Sequence, residues 1–318
     1  MRRTALWLTA LAAALVFALP GAAEAQNTRS WVSGTGNDAQ PCSRTQPCLT
    51  FGGAFAKTNA GGEINCLDSA DFGVVSITRA VTIDCTGVEA AVEGVNVNAG
   101  ATDVVTLRGL DFDGQGISAN GAVFLNGAAL HIENCVFRDY NGASEGFGIA
   151  FTPNASAELF VSDTVLTHNG SAFDGGAVLV RAQVGDVTKA IFNRVDAQDN
   201  FFGFKAQGTG SSGAVINMTI RDSVSAGNRS NGIVGTTSAG GAAIVMMIDR
   251  STSSHNAAGF GVIADGPETT IRIGNMSIAG NINGVGVSNG GVLQSYGTNQ
   301  INGNSSDGIA SLTPIGLH

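Results

Sequence analysis

Glycine followed by an apolar residue recurs along this chain at Gly73, Gly94, Gly121, Gly148, Gly176, Gly203, Gly232, Gly259, Gly284 and Gly308. The intervals are 21, 27, 27, 28, 27, 29, 27, 25 and 24 residues. An asparagine opening the preceding turn keeps the same step, at Asn141, Asn169, Asn200, Asn228, Asn256, Asn281 and Asn304. A third polar marker stands six or seven residues further upstream, at Asn134, Asp163, Asn193, Asp222, Asp249 and Asn275. A fixed period of this length means repeated supersecondary units, each unable to bury its inner face alone.

The stretches between markers, such as A-L-H-I-E-N-C-V-F and T-T-I-R-I-G-N-M-S-I, alternate apolar and polar residues. That period of two belongs to strands. About three short strands per 24 to 29 residues make one coil of a parallel β-helix, and about ten coils are expected. Asparagine suits the turns because its amide bonds the next coil and tolerates left-handed backbone angles. A leucine-rich repeat is excluded by the missing L-x-x-L-x-L pattern, and a β-sandwich would not hold one period so long. At about 4.8 Å per coil the rod is on the order of 50 Å long.

The I-x-N…N…G-[IVF] ladder resembles the right-handed parallel β-helix proteins of the pectin-lyase-like superfamily. The stretch W-V-S-G-T-G-N-D-A-Q-P-C-S-R-T-Q-P-C-L-T-F, with G-G-E-I-N-C-L-D and V-T-I-D-C, resembles a bacterial group of exported β-helix proteins of unassigned function. The likeness covers nearly all of the chain after residue 25. It implies an architecture and no particular activity, because one fold hosts many functions.

Residues 1–25 read as a signal peptide: Arg2 and Arg3, an apolar run from Ala5 to Leu19, then Ala23-Glu24-Ala25 before Gln26. The run is shorter than the roughly 20 apolar residues a membrane span needs. Residues 26–62 are expected to form an N-terminal cap and 63–318 the β-helix. In the cap, Leu49 to Lys57 reads as a short amphipathic helix started by Thr50, with Phe51, Ala54 and Phe55 facing the first coil. Export permits disulfides. P-C-S-R-T-Q-P-C pairs Cys42 with Cys48, and Cys66 and Cys85 flank one excursion and make the second pair. Cys135, within I-E-N-C-V-F, reads as a buried small side chain. At the C-terminal end no matching cap is visible. Either the last segment crosses the stack or another copy covers it, which would favour self-association there.

The chain has a net charge of −9. Removing Arg2, Arg3 and Glu24 leaves 14 basic and 24 acidic side chains, a charge of −10. That balance argues against a nucleic-acid partner. Relatives of this architecture include polysaccharide lyases and glycoside hydrolases, which need paired carboxylates or calcium with a base. The paired D-D, G-H-G and R-I-K set is absent. D-F-D-G-Q-G at Asp111–Gly116 and R-I-G at Arg272 are partial echoes, and a turn explains the first equally well.

If the residue after each glycine points inward, the inward row is Val95, Ala122, Ile149, Ala177, Phe204, Ile233, Phe260, Val285 and Ile309. The outward row is then Asn96, Val123, Ala150, Val178, Lys205, Val234, Gly261, Gly286 and Ala310. It holds one lysine and no acid. Catalytic candidates are left at the turns: Asp139, Glu145 and Asp174, the last two able to face Lys205 or Arg181 as a binding rim. Asp222 and Asp249, taken as equivalent on consecutive coils about 5 Å apart, make a calcium pair or, with Arg221 and Arg250 beside them, a solvated ion-pair cluster. Calcium is the only cofactor suggested.

Three functions compete: a non-catalytic exported β-helix offering a polar side to a glycan or protein partner, a lyase or hydrolase of acidic glycans, and a structural or adhesive surface rod. The expected location is periplasmic or secreted.

Overall fold

The computed structural model describes residues 27–117, 119–142, 146–171 and 174–317. The expected signal peptide and Glu145 lie outside the described residues. The described chain is an all-β parallel solenoid of about ten coils. Nine strands, from Val74–Ile77 to Asn283–Ser288, stack in one sheet, one per coil. A further twenty strands join a second sheet, continuous around a corner because Ala157–Thr167 and Val187–Gln198 run through both of its faces. All the paired strands are parallel, so equivalent residues of successive coils stand side by side. Among the described residues no helix is long and apolar enough to cross a membrane.

The asparagine row is the spine of the stack. Asn169, Asn200, Asn228, Asn256 and Asn281 are each 2% exposed or less. The side-chain oxygen of Asn228 accepts from the backbone N–H of Asn200 at 3.1 Å and from its side-chain amide at 3.4 Å. Its own amide donates to the oxygen of Asn256 at 2.9 Å. The same pair of bonds links Asn169 to Asn200, Asn256 to Asn281, and Asn281 to Asn304. Every amide dipole therefore points the same way along the axis. Burying so many amides is tolerated because each finds its partners. At the last rung no further asparagine follows, and the Asp307 carboxylate accepts both Asn304 donors at 3.1 and 2.9 Å.

The head of the ladder differs from the sequence reading. Tyr140, not Asn141, occupies the equivalent place, with its N–H on the Asn169 oxygen at 3.2 Å. The fully buried Tyr140 ring takes over the packing, and its hydroxyl donates to Glu93 O at 2.8 Å. Preceding each rung is a residue with positive φ: Asp139, His168, Asp199, Gly227, His255, Gly280 and Gly303.

The third marker also shifts. The left-handed turn positions are Gly109, Asn134, Asp163, Arg194, Asp222, Arg250 and Asn275, with φ between 46° and 64°. Arg194 and Arg250 replace the expected Asn193 and Asp249. Strand register pairs Arg221 with Asp249, which puts Arg250 beside Asp222. Turn side chains point into solvent, so residue type there follows charge compensation between coils.

The inward row on the nine-stranded sheet is Val95, Ala122, Ile149, Val178, Phe204, Ile233, Val262 and Val285. Ala177 and Phe260 are therefore one and two residues out of that row. Ile309 lies in a 3-10 turn and is 57% exposed. At Gly176 the slip arises because Ala177 stands in the place of the row glycine, and at Gly259 because two kinds of glycine stand close together. Gly259 serves a left-handed turn at φ 71°. Gly261 is the row glycine, because a Cβ there would lie 2.7 Å from the Gly284 carbonyl of the next coil.

The N-terminal end is closed as expected. Thr50 Oγ1 accepts from the Gly53 N–H at 2.9 Å and caps the helix Phe51–Lys57, which buries Phe51, Ala54 and Phe55. Asn27–Val32 precedes the helix yet already pairs with Thr58–Cys66. Cys42–Cys48 and Cys66–Cys85 are both bridged, with Cα separations of 4.7 and 4.9 Å. The second bridge joins consecutive coils, since the neighbouring Asn65 and Asp84 are register partners. At the other end the chain's own last segment crosses the stack. The turn Ile309–Ser311 follows directly on the last rung of the ladder, and Leu312–Pro314 pairs with Val292–Ser295.

Two predictions follow from these contacts. Asn228→Ala strands the Asn200 N–H and leaves the Asn256 oxygen only the backbone N–H of residue 228, so thermal and urea unfolding should show a loss of about 2–4 kcal/mol. Asp307→Ala should instead fray only the final coils, seen as faster amide exchange at Asn281 and Asn304. Asp38 supplies the second prediction. Burial alone would raise its carboxyl, but the Thr50 amide and hydroxyl, the Leu49 amide and Lys57 outweigh burial and hold it below its ordinary 3.8. Its stabilisation is therefore present above that value and lost as pH falls through the lowered one. Amide exchange in 49–53 should accelerate there, and Asp38→Asn should remove that pH dependence.

Candidate functional site

The outer face of the nine-stranded sheet carries Asn96, Val123, Ala150, Leu179, Lys205, Val234, Ile263 and Gly286 in register. Leu179 and Ile263 take the places expected for Val178 and Gly261, for the reason given above. Although these side chains point away from the core, Ala150, Leu179, Lys205, Val234 and Ile263 are all 8% exposed or less. Phenylalanines fold over them. Phe147 packs with Ala150 and Leu179 as an apolar cluster separate from the core. Phe202 lies against Lys205, and Phe260 covers Gly286, where a Cβ would meet its ring at 2.3 Å. These rings start alternate coils, opposite Asn120, Gly176 and Asn283. The small or polar partner leaves each ring its space. A phenylalanine two residues before the inward residue was the missed signal.

Lys205 is the cation of this strip. Its Nζ lies 3.1 Å from Asp174 Oδ1 and 4.5 Å from the Phe202 ring centre. A carboxylate and an aromatic face thus compensate a charge enclosed among apolar groups. Of the sequence candidates, Asp174 and Lys205 meet directly. Arg181 is turned to Gln207 instead, donating to Oε1 at 2.8 and 3.2 Å. That contact begins a polar margin along the strip, continued by Thr236 donating to Asp265 at 2.9 Å and Asn289 donating to Asp265 at 2.7 Å. Beside it opens a recess of about 550 Å³ lined by Thr209, Thr236, Thr237, Ser238, Pro267 and Asn289.

The other candidates lie elsewhere. Asp139 is a left-handed turn residue 3.7 Å from Arg138, whose guanidinium also holds Asp111 at 2.9 Å and Asp113 at 2.8 Å. The hydrogen bond to Asp111 and the surrounding carboxylates keep Arg138 firmly protonated, its pKa raised further still. D-F-D-G-Q-G is thus a strand end and turn organised on one arginine. Asp222 and Asp249 are not equivalent on their coils: both face Arg250, at 2.8 Å each. Arg194 bonds Asp163 at 2.6 and 2.7 Å. The turn row therefore alternates Asp163, Arg194, Asp222, Arg250. Hydrogen bonds from Arg194 and Arg250 lower the carboxyls of Asp163 and Asp222 respectively. Among the described residues no three His, Cys, Asp or Glu side chains are placed to hold a metal ion together.

His168 and His255 share a turn position three coils apart, separated by Asp199 and Gly227. His131 stacks on Phe160 at 4.7 Å, and partial burial lowers its pKa. Cys135 is 2% exposed, and burial pushes its thiol up to about 12. It therefore stays protonated and is no nucleophile. No protein-family model, curated protein or solved structure matches this chain.

The Lys205 pair makes the local prediction. Asp174→Ala leaves an enclosed ammonium with only a ring for company, and should cost about 1–3 kcal/mol in urea unfolding. Lys205→Met removes the charge and keeps the stem, so it should be near neutral in the same measurement. A larger loss for Lys205→Met than for Asp174→Ala would show that burial of the charge is not what sets the cost.

Proposed function

We propose that this chain is an exported, non-catalytic β-helix protein that holds an extended, hydroxyl-rich glycan along the outer side of its nine-stranded sheet. The observation that carries this reading is that every described candidate acid is already committed. Asp174 is held by Lys205, Asp139 by Arg138, and Asp222 and Asp249 by Arg250. A general acid or a nucleophile needs a carboxylate free to reach the bond it cleaves. The polar margin suits binding. Gln207, Thr236, Asp265 and Asn289 recur coil after coil, so a linear polymer meets similar donors and acceptors at each step.

Charge narrows the ligand. A polyuronate would approach a chain of net charge −10 after export, against two cations on this side that are both engaged. A neutral polysaccharide escapes that repulsion. Export itself is supported by the two disulfides, which persist in oxidising compartments. The coil motif further supports placing the chain, with a right-handed coil, among pectin-lyase-like proteins.

Affinity electrophoresis through gels containing neutral or uronic-acid polysaccharides tests the reading, run beside assays for unsaturated products and new reducing ends. We expect retardation by at least one neutral polymer without product. Gln207→Ala and Thr236→Val should each weaken retention by about threefold to tenfold, the worth of one hydrogen bond. Release of unsaturated or reducing-end products that disappears in Asp174→Asn would overturn it in favour of a lyase or hydrolase.

A further inference from the structure

A second recess of about 440 Å³ opens on the twenty-stranded sheet, away from the strip described above. It is lined by Met247, Asp249, Asn275, Tyr296, Thr298 and Leu317. Its origin is one missing side chain. The outward row runs Arg108, Glu133, Ser162, Asn193, Arg221, Asp249 and then Gly274. At Gly274 an added Cβ would lie 3.3 Å from Tyr296 Cδ2 and 3.7 Å from both Asp249 Oδ1 and Thr298 Oγ1. An aromatic ring, a carboxylate and a hydroxyl therefore all stand in contact range of that one point. Its backbone has ordinary negative φ, so no turn requires glycine there.

The polar groups around that point are held in place with capacity to spare. Asp249 is fixed by Arg250 at 2.8 Å on one oxygen and by the Asn275 amide at 2.9 Å on the other. Each oxygen keeps a free lone pair. Thr298 Oγ1 accepts the Asn275 N–H at 2.9 Å, which leaves its own hydrogen to donate. Tyr296 is half-buried, while the other described tyrosine, Tyr140, is fully enclosed. Preorganised groups of this kind lose little entropy on binding.

We propose that this recess binds a single neutral pyranose unit. Two adjacent ring hydroxyls donate to the Asp249 carboxylate, a third oxygen accepts from Thr298, and the sugar's C–H face rests on the Tyr296 ring, with Met247 alongside. The carboxylate's charge is already balanced by Arg250, so the pocket favours a neutral, hydrogen-rich donor over a free cation. The site is independent of the strip on the other sheet.

The test is a titration of the ¹⁵N-labelled intact chain with methyl pyranosides of glucose, galactose, mannose and N-acetylglucosamine, and separately with calcium chloride. Saturable shifts of the Gly274, Asn275 and Thr298 amides with at least one pyranoside are expected. Gly274→Ala presses a methyl group against the Tyr296 ring and should weaken that binding by about tenfold or more. Tyr296→Leu should do the same through loss of the ring. The proposal is overturned if no pyranoside shifts these amides, if calcium alone shifts them, or if Gly274→Ala binds as tightly as the parent.

Discussion

In-register parallel stacking is the constraint from which the rest of this molecule follows. Each coil buries its inner face only because the coils on either side complete it. Parallel pairing then forces equivalent residues to become neighbours. An asparagine is a good residue to repeat under that rule, because its amide carries a donor and an acceptor that can both be used by copies of itself. In the ladder from Asn200 to Asn304 each oxygen takes two hydrogens from the coil before it. Such a row is directional, and its last member needs an acceptor that no next coil supplies. Asp307 fills that need with a charge.

The same rule works against charged residues. Repeating a carboxylate at one position would stack like charges a coil apart. The turn row answers with alternation, Asp163 against Arg194 and Asp222 against Arg250. Arg108 does the same between Asp84 and Glu133. These pairs are exposed and individually weak. Their role is to let an acidic chain stack.

The architecture was legible in the sequence because a period near 27 residues and short alternating runs admit few folds. Both disulfides, the Thr50 cap and the buried face of the helix were legible too, since each is a local pattern. What local pattern could not supply was register. Gly259 and Gly261 stand two residues apart and serve different needs, a turn and a close approach. Asn141 and Tyr140 are adjacent, and only the hydrogen bond to Asn169 tells which is the rung. Asp249 and Arg250 are likewise adjacent, so a one-residue slip turned an opposite-charge pair into an apparent acidic one. Of the candidate site, the meeting of Asp174 with Lys205 was foreseen. The phenylalanines that enclose Lys205 were not, because their role appears only once the inward row is known.

Register also decides what an aromatic ring can offer a ligand. Phe112 with Phe137, Phe124 with Phe151 and His131 with Phe160 are partners on successive coils, with ring centres 4.1 to 4.7 Å apart. The four phenylalanines are fully buried in the core, and His131 and Phe160 spend a face on each other. Stacking on a sugar needs a face, so an aromatic embedded in such a column is a structural element. A ring becomes available only where its neighbour in the row is too small to cover it, as Gly274 is beside Tyr296. In a solenoid, then, the positions to examine for binding are interruptions in the repeat, where a small residue stands in a row of large ones.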